Sequence, residues 1–140
     1  MPKRGNEALV KGLNGDMNLE LGTVVRYLIN ASTVRGLLGH EARELFLKEA
    51  AEELQHATFF ADKVVALGGT PSISLGKLPI FTDARKALQY EYEHELHAVE
   101  EYTTRIAQAD KAGEIGLRVR VEEILADEQE HAESLARLLR

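Results

Sequence analysis

Two short patterns in this chain carry the chemistry of a metal site. Each is a glutamate followed 33 residues later by Glu-x-x-His: Glu20 with Glu53 and His56, then Glu95 with Glu128 and His131. Sliding the sequence by 75 residues lays the first pattern on the second, and Tyr27 on Tyr102, each seven residues after its lone glutamate. Within each motif the three-residue step puts both side chains on one helix face. Carboxylate and imidazole together suit iron or manganese, whereas a structural zinc site favours thiolate and histidine. The chain has no cysteine, which excludes a disulfide scaffold, an iron–sulfur cluster, a rubredoxin-type iron centre and thiol catalysis. One Glu-x-x-His arises often by chance. Two, each the same distance behind a glutamate, are far more specific.

The elements that must position these groups read as helices. Prolines occur only at positions 2, 71 and 79, leaving two long stretches permissive for helix. In each stretch apolar residues recur at alternating steps of four and three, the seam of helices packed nearly side by side. The four seams run Leu13 to Ala31, Phe46 to Leu67, Leu88 to Ile106 and Val121 to Leu139. The spans expected are roughly 6–37, 40–68, 83–112 and 114–139. Each seam holds one glutamate, which is costly in a core unless paired or bound to a cation. No seam supplies a lysine or arginine to pair with it.

The spacing also predicts how the helices are arranged. Glu20 and His56 are equidistant from position 38, and Glu95 and His131 from position 113, so each hairpin brings its lone glutamate level with its Glu-x-x-His. The segment from Gly69 to Thr82 joins the hairpins. At ~3.3 Å per residue it can span a helix of ~28 residues, so helices two and three are expected to be parallel. The fold expected is all-α: a four-helix bundle of two antiparallel hairpins, one domain over 1–140, with an internal two-fold repeat. Four glutamates and two histidines converge inside it, and two divalent ions balance the four negative charges.

With these motifs the sequence resembles the ferritin-like superfamily, bacterioferritins above all, over Leu13 to Leu139. The segments that carry the likeness are Leu19-Glu20-Leu21 with Tyr27, Glu53-Leu54-Gln55-His56-Ala57, Glu95, and Asp127-Glu128-Gln129-Glu130-His131. The resemblance implies a ferroxidase centre of two iron ions per chain, with manganese the other metal to consider. Glu20 and Glu95 would be terminal ligands, Glu53 and Glu128 bridges, and His56 and His131 nitrogen donors. Tyr27 matches a site-adjacent tyrosine that hydrogen-bonds a ligand or gives an electron; Tyr102 is its repeat mate. Fe(II), dioxygen or hydrogen peroxide, and other copies of the chain are the partners implied. Two departures matter. The position of the haem-binding methionine is Leu54, so no haem is expected. Only nine residues follow His131, where cage-forming relatives carry a fifth helix, so a twelve-subunit shell or smaller oligomer enters consideration.

The remaining features bound the function. Seventeen basic against 23 acidic residues give a net charge of −6, which disfavours nucleic acid as a partner. No apolar run suits a membrane span, and the N-terminal sequence lacks a signal peptide's apolar segment, so a cytoplasmic location is expected. Glu52 and Asp127 stand ready to accept a proton from a histidine across the site, or to face solvent. His94 and His97 fall about 100° and 200° around the helix from Glu95 and read as surface residues. His40 opens helix two with no assigned partner, and Lys3, Arg4 and Lys11 read as a thin basic arm. Two other functions fit the same ligands: a peroxide-consuming enzyme of the rubrerythrin or manganese-catalase kind, and a DNA-shielding mini-ferritin (Dps). The latter uses histidines of the first helix, which here has none.

Overall fold

The computed structural model describes residues 6–140; Lys3 and Arg4 lie outside the described residues. Four helices account for most of it: α1 (Glu7–Thr33), α2 (Gly39–Ala66), α3 (Ala84–Lys111) and α4 (Ile115–Leu139). Side-chain pairs give the helix directions: α1 runs antiparallel to α2, with Tyr27 on Glu49 and Glu20 on His56; α3 runs antiparallel to α4, with Asp110 on Arg118 and Glu95 on His131; and α1 runs antiparallel to α3, with Asp16 on Arg105 and Arg26 on Glu91. Helices α2 and α3 are therefore parallel, as the crossover length predicted. No β-strand occurs among the described residues, and none of these helices is long and apolar enough to cross a membrane.

The crossover runs the length of α1, held by side chains four residues apart on one ridge. Asn14 accepts from the Ser72 N–H at 2.8 Å, and Asn18 accepts from the Ser74 N–H at 2.8 Å. Asn18 also donates to the Ser72 carbonyl at 2.9 Å. Gly22, next on the ridge, faces the Leu75 carbonyl at a distance that would crowd a Cβ (3.3 Å). Asn30 accepts from the Phe81 N–H at 2.6 Å and donates to the Pro79 carbonyl at 3.1 Å. Backbone groups of the crossover thus find partners without a sheet. Asp83 ends the segment as the N-cap of α3, accepting from the Arg85 N–H at 2.9 Å.

α1 stops at Thr33, four residues short of the expected end. Val34 turns extended, and the Arg35 N–H bonds to the Thr82 carbonyl at 2.9 Å, so the crossover captures the chain there. The α3–α4 turn is a glycine-terminated helix end: Gly113 has φ +76°, and the Glu114 N–H reaches back to the Ala109 carbonyl at 2.9 Å.

Burial follows the expected seams in α1, α2 and α4, but is rotated by about one residue in α3. There the fully buried stripe is Leu88, Glu91, Glu95, Ala98, Tyr102, Arg105 and Ala109, while Tyr92, Val99 and Ile106 are half-buried. Buried cations do exist off the seams. Arg26 grips Glu91 (2.8 and 2.9 Å) and Arg105 grips Asp16 (2.7 and 3.0 Å), two forked ion pairs between α1 and α3. The hydrophobic core is in two clusters. One gathers Leu13, Met17, Phe60, Tyr102 and Val121, the other Tyr27, Phe46, Leu88 and Leu135.

Asn30→Ala would leave the Phe81 N–H and Pro79 carbonyl without partners. A loss of about 1–3 kcal/mol is expected in urea denaturation, with an unchanged denaturant slope.

Candidate metal centre

The six residues of the repeated pattern come together between the two core clusters. α1 contributes Glu20, α2 Glu53 and His56, α3 Glu95, and α4 Glu128 and His131. All six are buried, the four glutamates to within 2 % of complete. Their donor atoms form two overlapping groups, each within 4.8 Å: Glu20, Glu53, His56 and Glu128, and Glu53, Glu95, Glu128 and His131. The groups exchange under the 75-residue shift and share Glu53 and Glu128. His56 Nδ1 lies 2.9 Å from Glu128 Oε1, and His131 Nδ1 lies 2.9 Å from Glu53 Oε1.

The donors are aimed at a common space. Among the described residues, six buried side-chain polar atoms have no hydrogen-bond partner: Glu20 Oε2, Glu53 Oε1, His56 Nδ1, Glu95 Oε2, Glu128 Oε1 and His131 Nδ1. That is one atom on each of the six residues. The 2.9 Å contacts are close enough for ion pairing but do not make hydrogen bonds. Buried polar atoms are rarely left unbonded, and a set confined to one cluster of carboxylates and imidazoles calls for a cation. Oxygen and nitrogen donors, with no thiolate, fit divalent metal of the iron or manganese type.

Each histidine is braced from outside. His56 Nε2 lies 2.9 Å from Asp127 Oδ2, and His131 Nε2 lies 2.5 Å from Glu52 Oε2. The half-exposed carboxylate accepts the Nε2–H, so that when a cation replaces the Nδ1 proton the Nδ1 lone pair faces inward. Glu52 and Asp127 are themselves repeat mates, so this support is two-fold symmetric as well.

Without cations the cluster must hold protons. Burial, reinforced by neighbouring carboxylates, pushes Glu53 and Glu95 well above the usual carboxylate range. Burial alone would lower His56, but Glu128 and Glu20 outweigh it and hold the imidazole up to about 11. Burial would raise Glu128, yet the groups packed around its carboxylate, Glu95, His56 and Glu53, take it down to about 2.

The tyrosines follow the same symmetry and then depart from it. Tyr102 donates to Glu20, and Tyr27 Oη lies 3.1 Å from Glu95 Oε1, each tyrosine reaching the lone glutamate of the other half. Tyr27 also meets Glu49 Oε2 at 3.1 Å. Glu49 is a buried acid that sequence reasoning missed. It sits one helical turn before Glu53, but its repeat mate is Ile124, so the repeat gave no signal. His94 also departs from its expected surface position. It is half-buried, its ring 4.6 Å from Tyr90, and burial takes it down to about 4. His97 and His40 are exposed.

Glu49 supplies a pH test. Burial raises its carboxyl to about 7, against an unfolded value of 4.5. From pH 4.5 to 7 the folded chain therefore keeps a proton that the unfolded chain releases, and stability falls as pH rises. Glu49→Gln removes that penalty. In chelator at pH 8 the variant is expected to exceed the parent by on the order of 2 kcal/mol, with no difference below pH 4.5. Urea denaturation at both pH values checks this; an equal difference at both would contradict it.

Comparison with known proteins gives the family and the fold. A bacterial ferritin of Neisseria meningitidis serogroup B is 27% identical over 138 residues, covering 98% of this chain and 90% of that protein. A crystal structure of ferritin-like diiron-carboxylate proteins from Bacillus anthracis is 33% identical, covers 99% of both chains and superposes with a TM-score of 0.93. The fold is also that of a dodecameric thioferritin, the bacterioferritin-related protein of Bacteroides fragilis. That chain is 23% identical, with coverage of 95% of this chain and 84% of that one and a TM-score of 0.87. The sequence profile of the ferritin-like domain matches residues 10–140, and the chain belongs to the ferritin-like family.

Proposed function

We propose that this protein takes up two Fe(II) ions per chain and oxidises them to Fe(III) with dioxygen or hydrogen peroxide, for iron storage and homeostasis. The observation that carries this reading is the set of six orphaned donor atoms, one on each of Glu20, Glu53, His56, Glu95, Glu128 and His131. In this reading Glu53 and Glu128, common to both donor groups, would help hold both ions. Glu20 with His56, and Glu95 with His131, each complete one site. Two ions ~3.5–4 Å apart can each pass one electron to the same small oxidant.

The chain's own residues provide the rest. Burial of all six donors excludes bulk water and strengthens their hold on charge. Asp127 and Glu52 keep the imidazoles in the donor tautomer. Tyr27 and Tyr102 steady the terminal carboxylates Glu95 and Glu20. Two Fe(II) give one electron each, so with two protons dioxygen leaves as hydrogen peroxide, or hydrogen peroxide leaves as two waters, and two Fe(III) remain. Storage needs an enclosed volume, so assembly into a shell belongs to the proposal. Exposed apolar side chains such as Leu28, Ile29, Ile73 and Ile80 supply surface for self-association.

Glu53→Ala and His131→Ala are expected to abolish rapid Fe(II) oxidation while circular dichroism stays helical. Asp127→Ala is expected to weaken metal binding by about 10–100-fold. Full oxidation rates in Glu53→Ala or His131→Ala would refute the ligand assignment. Iron loading that stops at two per chain would refute storage, and oxidation by peroxide but not dioxygen would favour the peroxide-consuming reading.

A further inference from the structure

A narrow crevice leads to the six donors from the side of α1 and α3. Four of the glutamates, Glu20, Glu53, Glu95 and Glu128, line it, together with Leu19 and Thr23 of α1 and His94 and Ala98 of α3. Of these lining residues only Leu19 and His94 are half-exposed, so they stand at the solvent end. The void is about 10 Å3, room for roughly one water molecule. The opposite side, between α2 and α4, is closed by the two histidines and their bracing carboxylates.

The rim is built from repeat mates. Leu19 and His94 are 75 residues apart, as are Thr23 and Ala98. The crevice therefore descends along the internal two-fold axis, between the two half-sites. The scaffold already accepts leucine at this place in the first half, so packing does not require an imidazole in the second. The His94 ring is held against Tyr90, which lies under Arg26 at 5.5 Å to the guanidinium carbon, yet no hydrogen bond engages its nitrogens among the described residues.

We propose that His94 is the first ligand met by a divalent cation, a transient donor at the mouth of the route to the metal centre. This rests on the two-ion reading of that centre. A hydrated ion is too large for the crevice and must shed water to pass. An imidazole at the rim replaces a lost water with a nitrogen donor suited to iron, and the four carboxylates beyond it draw the cation inward.

The test is stopped-flow uptake of Co(II), followed by its absorbance, into metal-free protein. Release to a chelator is measured in parallel. His94→Leu, which copies the first half of the repeat, is expected to slow uptake and release alike by about tenfold. Two Co(II) per chain and the parent's affinity should remain. Moving the imidazole to its repeat mate, Leu19→His with His94→Leu, should restore the rate, and exposed His97→Leu should leave it unchanged. Parent-like uptake by His94→Leu would overturn the route, as would lost stoichiometry, faster release, failed rescue or an equal effect in His97→Leu. No Co(II) uptake by the parent would instead overturn the two-ion reading, and the route with it.

Discussion

Four carboxylates buried among two imidazoles, with one oxygen of each left unpaired, are the constraint around which the bundle is arranged. Charges of this kind are expensive in a protein interior unless something of opposite sign is close. The two buried arginines do not serve them, because each is committed to another acid, Arg26 to Glu91 and Arg105 to Asp16. In the metal-free chain protons fill the gap: the surrounding carboxylates hold His56 charged, and burial drives Glu53 and Glu95 toward their neutral forms. Divalent cations would replace those protons with charge in the same place. The two apolar clusters make this arrangement rigid, each presenting one buried tyrosine to the polar layer.

The internal repeat explains why the layer is so regular. A hairpin duplicated about a two-fold axis supplies every element in pairs: two lone glutamates, two Glu-x-x-His motifs, two tyrosines each reaching across to the other half, and Glu52 with Asp127 as braces. Departures from the symmetry then stand out as chemically informative. Glu49 adds an acid beside Tyr27 where the other half has Ile124, which makes the surroundings of the two tyrosines unequal. His94 adds an imidazole where the other half has Leu19.

Much of this was legible in the sequence because the relevant signals were repeated and evenly spaced. The apolar seams located α1, α2 and α4, the hairpin arithmetic levelled the six donors, and the crossover length implied parallel α2 and α3. Signals that depend on tertiary context were not legible. The buried stripe of α3 includes Glu91 and Arg105, which a hydrophobic pattern scores as surface. α1 ends early because the crossover captures Arg35, and nothing local to Thr33 announces it. The ridge of Asn14, Asn18 and Asn30 carries no apolar signal, and its purpose appears only with the crossover laid along it. Angular placement of His94 treated α3 as an isolated cylinder and missed the wall that α1 provides.

The most direct measurement is the thermal midpoint of the metal-free protein as Mn(II) is added, with calorimetric stoichiometry. The midpoint is expected to keep climbing with free Mn(II), by the equivalent of about 4 kcal/mol per ion at a thousandfold excess over Kd, while calorimetry counts two ions per chain. In Glu128→Gln that climb should be lost. A midpoint that ignores the metal, or that responds equally in Glu128→Gln, would contradict the idea that cations neutralise the buried acids.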